Sequence, residues 1–254
     1  MIQAFKKKLA DGKTVYGPFM KASDPALVEV AGHAGFDFVI LDMEHAPFTY
    51  KNLEDLVRAA ELSGALPIIR AQSSSEIFIS KALDLGARGV QVPHVTNATE
   101  AESCVSAAKF HPRGQRGTDP FVRAAAYSAI PKDQYFIQAN ETLVILQLEG
   151  KEAIQNLDEI MQVDGIDILF IGPYDLSQSM GVPGQVDHPS VTGQMETIVS
   201  KAREKGLVVG TFTDTLESAR TWRNAGIQYI SYGVDMALFM DACKALLDQL
   251  NAAP

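Results

Sequence analysis

The chain has 254 residues, of which 46% are hydrophobic, enough to fill the core of one large α/β domain. Its formal net charge of -9 argues against nucleic acid or an anionic membrane as the main partner. The first residues lack the apolar core of a signal peptide, and no apolar run is long enough to span a bilayer. We therefore expect a cytoplasmic protein.

Predicted strands and helices alternate along most of the chain. The eight predicted strands cover residues 14–20, 36–42, 66–70, 89–93, 143–149, 166–171, 207–213 and 227–232. The predicted helices cover residues 3–11, 25–34, 51–63, 75–85, 97–109, 152–162, 190–205, 215–225 and 235–250. This alternation, without a glycine-rich dinucleotide-binding turn, predicts a single-domain (β/α)8 TIM barrel over 1–254. A doubly wound open sheet is the alternative, and residues 111–141 are predicted to be an irregular insertion.

The predicted strand 143–149 is apolar except for two polar residues near its far end, Gln147 and Glu149. Side chains in a strand alternate between two faces, so these two share a face with Leu143 and Ile145. A strand that is apolar on both faces is typical of a buried parallel sheet. The carboxylate at its carboxyl end therefore lies where the loops of such folds bind ligands.

Polar side chains also follow the other predicted strands. They are Asp42, Glu44, His45, Arg70, His94, Gln147, Glu149, Asp175, Thr211 and Thr213. Each has a structural explanation as well: Asp175 could cap a helix, Glu149 could pair with Arg70, and His45 could be a surface residue. A rim without a function would require all of these structural explanations to hold at once. We therefore interpret the rim as an active site.

The side chains at this rim suggest carbanion chemistry on an oxo acid. Glu149 and Asp175 are hard oxygen ligands of the kind that hold Mg²⁺ or Mn²⁺, with Co²⁺ as a further candidate. Without a histidine pair or cysteine cluster at strand ends, a zinc site of those residues is disfavoured. Arg70 could support the oxyanion of an α-keto acid, and a histidine could move the proton. Together these functions are those of aldol cleavage and formation.

A Schiff-base mechanism is the alternative route to the same reaction. It needs a lysine in the barrel mouth that loses its proton readily. Predicted strands two to eight contain no lysine, and the near candidates are Lys21 and Lys151, at predicted helix starts. We therefore favour the route through a divalent cation.

Four segments resemble the HpcH/HpaI aldolase family across essentially the whole chain. They are residues 35–45 (GFDFVILDMEH), 67–70 (PIIR), 147–149 (QLE) and 172–177 (GPYDLS). The resemblance implies a (β/α)8 barrel and a class II pyruvate aldolase, which cleaves a 4-hydroxy-2-oxo acid through a metal-stabilised pyruvate enolate. It also implies a homotrimer or homohexamer with an exchanged C-terminal helix.

The resemblance also implies a role for each site residue. His45 is expected to act as the base through water, with Arg70 as the stabiliser of the enolate and Glu149 and Asp175 as metal ligands. The expected substrate-binding residues are Arg70, Gln147, Gly172, Tyr174 and Asp175, with backbone amides at the last two. The family pattern assigns Asp84 to raise the basicity of the histidine, whereas the strand ends alone favour Asp42.

The chain departs from the family pattern at Phe19, at Tyr174 and in residues 116–121, which leaves the aldehyde partner open. A lyase acting on a CoA thioester is an alternative, and it would need a basic groove for which Arg113, Arg116 and Arg123 are the candidates. A third possibility is a non-catalytic barrel that binds an oxo acid. The set of His45, Arg70, Glu149 and Asp175 speaks against it, because binding alone needs no base.

Overall fold

The computed structural model, in which residues 1–252 are described, contains a closed barrel of eight parallel strands. The strands are β1 (Val15–Met20), β2 (Phe38–Asp42), β3 (Leu66–Arg70), β4 (Gly89–Val92), β5 (Leu143–Leu148), β6 (Ile168–Ile171), β7 (Val208–Thr213) and β8 (Tyr229–Val234). Each pairs with the next, and β8 pairs with β1. The predicted barrel is therefore confirmed, and the open-sheet alternative is wrong.

Helices surround the barrel and occupy several of the loops. They are α1 (Ile2–Ala10), α2 (Pro25–His33), α3 (Tyr50–Ser63), α4 (Glu76–Asp84), α5 (Ala98–Ala108), α6 (Lys132–Ala139), α7 (Lys151–Gln155), α8 (Leu157–Ile160), α9 (Pro173–Ser179), α10 (Pro189–Glu204), α11 (Leu216–Ala225) and α12 (Asp235–Ala252). The predicted helix 152–162 is two helices that meet at Asn156, whose side chain donates to the Thr96 carbonyl. Residues 111–141 contain α6 and a 3₁₀ helix, Arg123–Ser128.

The alternation of side chains along each strand divides the core into two layers. Leu143 and Ile145 of β5 lie inside the barrel with the aromatic rings of Phe38, Phe170 and Tyr229. The intervening residues of β5 face the surrounding helices. Gln147 continues the inward series of β5, as predicted from the two-residue period.

The end of the barrel where the strands begin is filled by apolar side chains. Phe5 and Leu9 of α1 are buried against this inner layer, and the Phe38 and Tyr229 rings stack with centroids 4.1 Å apart. The barrel interior is therefore a packed core at this end, and ligands have access from the opposite end. None of the helices in the described part of the chain combines the length and apolar character that crossing a membrane requires.

Gly210 provides a test of the packing inside the barrel. A Cβ atom at this position would lie 2.6 Å from Cδ1 and 2.9 Å from the carbonyl oxygen of Tyr229. Because Tyr229 is fully buried and stacked, the ring cannot move away freely. We expect Gly210→Ala to lower the free energy of unfolding by about 1–3 kcal/mol, measured by urea unfolding.

Gly193 is the matched control, because it is exposed on α10 and a Cβ there would meet nothing within 4 Å. Gly193→Ala should raise stability by about 0.5–1 kcal/mol through helix propensity. Equal stability of the two variants would contradict the tight packing around Gly210.

Candidate active site

A cavity of about 470 Å³ opens at the carboxyl ends of the strands. Six of the predicted site residues line it, namely His45, Arg70, Gln147, Gly172, Tyr174 and Asp175. Its other lining residues include Phe19, Lys21, Phe212 and Asp214. The structure therefore brings together side chains from widely separated parts of the chain, as the strand-end pattern predicted.

Arg70 is held in place by a buried carboxylate on the neighbouring strand. Asp42 and Arg70 are register partners in β2 and β3, so their side chains leave the sheet side by side. Arg70 donates through Nε to Asp42 Oδ1 at 2.9 Å and through Nη2 to Asp42 Oδ2 at 2.7 Å. Burial alone raises the pKa of Asp42, but the hydrogen bonds and charge of Arg70 outweigh it and hold that pKa below its ordinary value. Asp42 therefore stays ionised beside the guanidinium.

Glu44 and His94 extend this ion pair toward the next strands. Glu44 Oε2 lies 2.9 Å from Arg70 Nη1, and Glu44 Oε1 lies 2.9 Å from His94 Nε2. The contact with Arg70 is an ion pair without hydrogen-bond geometry, so within residues 1–252 this buried oxygen has no hydrogen-bond partner. His94 has a left-handed φ of 57°, a strained conformation for a residue with a Cβ. Such strain clusters at functional sites.

Glu149 directly follows β5 and is a second buried carboxylate at the mouth, with 4% exposure. Its Oε1 accepts from the backbone N–H of His94 at 2.8 Å and lies 2.8 Å from His94 Nδ1. Its Oε2 accepts from Gln147, whose own oxygen accepts from Gln91 at 2.7 Å. Burial raises the pKa of Glu149, and the nearby charge of Asp175 adds to this effect while Gln147 and His94 oppose it.

The surroundings of Glu149 fit a divalent cation. Asp175, in the first turn of α9, is near enough to raise the pKa of Glu149 by charge repulsion, which a bound cation would relieve. Gly172 lines the cavity beside them, and a Cβ there would lie 2.7 Å from Glu149 Oε2. Gly172 thus leaves room beside Glu149 Oε2 that a side chain would fill, and Asp175 lines the cavity. Glu149 itself is not among the lining residues, and residues 1–252 contain no cluster of three or more candidate metal ligands.

His45 lies at the cavity with its side chain 57% exposed. Its backbone N–H donates to Asp42 Oδ1 at 3.2 Å, so Asp42 orients the loop after β2 rather than the imidazole. The carboxylate within 4.0 Å of the ring is that of Glu44. His45 is therefore accessible from the cavity and free to approach a ligand.

Asp84 does not join this site within the chain. It is the last residue of α4, shortly before β4 begins, and therefore lies at the end of the barrel opposite the cavity. There its Oδ1 accepts from Arg116 Nη2 at 2.6 Å. A contact between Asp84 and the His45 ring would thus require a neighbouring subunit.

The alternative routes find less support in the geometry. Lys21 lines the cavity, but its ammonium is 3.5 Å from Asp42, an ion pair that opposes the neutral amine a Schiff base needs. Lys151 is exposed at the start of α7 and is not among the lining residues. Lys21 is therefore the nearer of the two, and it is already paired.

The three arginines proposed for a nucleotide groove are each beside an acid. Arg113 lies 3.5 Å from Glu141, Arg116 pairs with Asp84, and Arg123 pairs with Glu61. The side chain of Arg116 is almost fully buried. These arginines stabilise the segment between α5 and β5 instead of forming an open basic groove.

His94 and Glu44 are among the polar residues at predicted strand ends, but no role is predicted for them. Each lies shortly after the end of a strand, and that position is the signal available in the sequence. The sequence pattern does not predict the contact between Glu44 and His94, because they follow strands that are not neighbours in the barrel. Their contact depends on loop conformations that no short pattern encodes.

Comparison with known proteins gives a consistent result. The model of a family described as HpcH/HpaI aldolase/citrate lyase matches residues 16–242. A 2-keto-3-deoxy-L-rhamnonate aldolase of Salmonella gallinarum is 36% identical over 245 residues, covering 96% of this chain and 91% of the relative.

Two solved structures share the fold over nearly their whole length. An HpcH/HpaI aldolase/citrate lyase family protein from Burkholderia cenocepacia has a TM-score of 0.93 and 29% identity, with 98% of this chain and 99% of that chain covered. A citrate synthase, SbnG, has a TM-score of 0.87 and 32% identity, with coverage of 97% and 96%.

The buried pair at the mouth predicts a pH-dependent contribution to stability. Since folding lowers the pKa of Asp42 below its ordinary 3.8, this contribution is present above that pH and is lost as pH falls through the folded value. Asp42→Asn should lower the free energy of unfolding by about 3–5 kcal/mol near neutral pH, by leaving Arg70 buried without its partner. Urea unfolding from about pH 7 to about pH 3 should show the gap between wild type and variant closing.

Asp24→Asn is the control, because Asp24 caps α2 at the surface and asparagine caps a helix equally well. This variant should match wild type near neutral pH. A gap for Asp42→Asn that is the same at every pH would contradict stabilisation by its charge.

Proposed function

The chain belongs to the HpcH/HpaI aldolase/citrate lyase family, and from this premise we propose that its mouth cavity cleaves a 4-hydroxy-2-oxo acid reversibly to pyruvate and an aldehyde. As an aldolase, it is a carbon–carbon lyase. The compound in the name of its curated relatives, 2-keto-3-deoxy-L-rhamnonate, is itself a 4-hydroxy-2-oxo acid. The observation that carries the proposal is a cavity where Arg70, Gln147, Asp175 and an accessible His45 face one space beside Glu149.

Arg70 binds and orients the oxo acid in this proposal. Two of its five N–H donors, one on Nε and one on Nη2, donate to Asp42, and Nη1 forms an ion pair with Glu44. The remaining N–H groups on Nη1 and Nη2 are available to a ligand in the cavity. The two acids and the Phe19 ring, 4.7 Å from the guanidinium carbon, fix the orientation of Arg70. A donor fixed before the reaction stabilises the charge that develops on the 2-oxo oxygen without the cost of reorganisation.

Glu149 and Asp175 are the residues that would hold a divalent cation, Mg²⁺, Mn²⁺ or Co²⁺, since they are hard oxygen donors with space beside them. Aldolases of this family are generally dependent on a divalent metal ion. When bound, the ion would polarise the 2-oxo group and favour negative charge on its oxygen. His94 and Gln147 fix the orientation of the Glu149 carboxylate through hydrogen bonds to its two oxygens.

His45 moves the protons in this proposal, acting through a water molecule. In cleavage, the C4 hydroxyl loses its proton as the C3–C4 bond breaks, and the electron pair passes into the pyruvyl fragment. That fragment then gains a proton at C3 and becomes pyruvate. The reverse reaction begins with removal of a methyl proton from pyruvate, a task that an imidazole can perform near neutral pH.

The CoA-thioester alternative is less well supported. Its expected nucleotide groove is missing at Arg113, Arg116 and Arg123, which are beside acids near the opposite end of the barrel from the cavity. A solved relative is a citrate synthase, so the family framework also serves other carbon–carbon chemistry. The free hydroxyl and oxo groups of a small acid fit the cavity of about 470 Å³ without a nucleotide site.

The first test is deuterium exchange into the methyl group of pyruvate, followed by NMR after quenching with chelator. We expect exchange with Mg²⁺ or Mn²⁺, none with chelator, and no sensitivity to borohydride, which traps Schiff bases. Arg70→Lys should slow exchange by about 10²–10³-fold, the usual effect of removing one oxyanion donor. Exchange that survives chelator and is abolished by borohydride would instead indicate Lys21.

Matched control variants distinguish the effects of changing a site residue from the general effects of a substitution. Arg88→Lys changes an exposed arginine that pairs with Glu61, and it should exchange at the wild-type rate. Glu149→Gln should weaken Mn²⁺ binding in calorimetry, whereas Glu152→Gln, on the exposed face of α7, should not. Undiminished Mn²⁺ affinity in Glu149→Gln would remove Glu149 from the ligand set.

We further propose that α12 packs against other copies of the chain in a homotrimer or homohexamer, the exchanged helix expected from the family. This helix has no buried residue in the single chain. Its exposed large apolar residues are Met236, Phe239, Met240, Leu246, Leu247 and Leu250. Such a continuous apolar surface is typical of an interaction site. In an oligomer, Asp84 and the 111–141 segment could also reach a neighbouring active site.

Sedimentation velocity tests this assembly. Replacing Leu246 and Leu250 by lysine places two charges one turn apart on α12 and should convert the oligomer to monomers. Gln249→Lys adds a charge to an exposed polar position of the same helix and should leave the oligomer intact. A monomeric wild-type protein would refute the proposal.

A further inference from the structure

The cavity has two sides that differ in chemistry. His45, Arg70 and Gln147 come from β2, β3 and β5, on one side of the barrel. The other side is formed by β6, β7, β8 and β1, and its lining residues are largely aromatic or aliphatic: Phe19, Phe170, Tyr174, Phe212, Val234 and Ala237. If the proposed function holds and pyruvate occupies the polar side, the aldehyde lies against the second side.

A hydrogen-bonded pair stands at the rim of this second side. Tyr174 lies in the first turn of α9, which follows β6, and Asp214 directly follows β7, so the two come after neighbouring strands. The Tyr174 hydroxyl donates to Asp214 Oδ2 at 2.5 Å, and its ring lies 6.0 Å from the Phe212 ring. The phenol is the donor of this hydrogen bond, and the Asp214 carboxylate is the acceptor.

Asp214 gives this side of the cavity a negative charge. The lining residues contain two permanent cations, Lys21 and Arg70, and both lie beside Asp42. A carboxylate at the far end of an aldehyde would meet the charge of Asp214, and like charges brought together in a binding site cost affinity. A hydroxyl group there could instead donate to the carboxylate, with its carbon chain against Phe212.

We infer that the Tyr174–Asp214 pair is the specificity determinant for the aldehyde, and that it selects neutral, hydroxyl-bearing aldehydes over those with a carboxylate. This inference rests on the proposed function, since it concerns the second substrate of that reaction. Asp214 supplies the charge and the acceptor, and Tyr174 is a positioning residue that holds the carboxylate at the rim. The departure from the family pattern at Tyr174 thereby acquires a role.

The test compares two aldehydes of equal size with pyruvate as the donor, glycolaldehyde and glyoxylate. Glyoxylate is intrinsically more electrophilic, so the measured quantity is the change in the ratio of kcat/KM values between wild type and variant. Asp214→Asn should shift this ratio toward glyoxylate by about tenfold or more, chiefly through a lower KM for glyoxylate. Asp214→Glu should retain the wild-type preference, because it keeps the charge.

Two further variants test the role of each partner. Tyr174→Phe keeps the ring against Phe212 but removes the hydroxyl that holds Asp214. The KM for glycolaldehyde should therefore rise, while the charge of Asp214 should still disfavour glyoxylate. Asp187→Asn removes an acid that is near Tyr174 but does not line the cavity. The ratio of kcat/KM values for the two aldehydes in this variant should equal that of wild type. An equal shift in Asp187→Asn would overturn the inference, since it would indicate general acidity of the rim.

Deuterium exchange into pyruvate separates failure of this inference from failure of the proposed function. If wild type exchanges the methyl protons and Asp214→Asn leaves the aldehyde ratio unchanged, the specificity role is refuted and the aldolase proposal stands. If wild type shows no exchange, the aldolase proposal fails and the inference falls with it.

Discussion

The bidentate pairing of Asp42 with Arg70 is the interaction on which the rest of the mouth depends. Both side chains are buried, and each lies at the inward-facing end of its strand in exact register with the other. A buried arginine without a partner would be costly, so the position of its guanidinium is tightly determined. Asp42 also accepts the backbone N–H groups of Glu44 and His45, which ties the loop carrying the proposed base to the same carboxylate.

From this pair, polar contacts continue around the rim through Glu44 and His94 to Glu149. Each step joins residues from different strands, and each residue lies at or just beyond the end of its strand. The same inward positions lower in the barrel hold apolar side chains such as Ile40, Ile68 and Ile145. The two-residue period thus serves both purposes: packing near the start of each strand, and chemistry at its end.

Much of this could be predicted from the sequence, because strand patterns and strand ends are local features. The run 143–149 predicted that Gln147 and Glu149 share a face with Leu143 and Ile145, whose side chains lie inside the barrel, and β3 was predicted with the bounds that the structure has. Asp84 falls late in a predicted helix, so the pattern already favours a position away from the cavity, which the structure has. A role for Asp84 in the site could not be predicted from one chain, because it would require a neighbouring subunit. The predicted helix 152–162 is divided at Asn156 into α7 and α8, and the Asn156 side chain donates to the carbonyl of Thr96, 60 residues away in the chain. A local pattern does not predict such a contact.

The charges at the mouth support the proposal of a cation in the site. Asp42 and Glu149 are buried there, Glu44 is partly buried, Asp175 lines the cavity, and Arg70 is the single buried cation among these groups. Arg70 is shared between Asp42 and Glu44, so its charge does not reach the carboxylates of Glu149 and Asp175 at close range. Burial makes the charge of Glu149 costly and raises its pKa, and the charge of Asp175 adds to this effect, although Gln147 and His94 oppose it. A divalent cation held by Glu149 and Asp175 would reduce this cost, and Arg70 would remain available to an anionic group of the oxo acid.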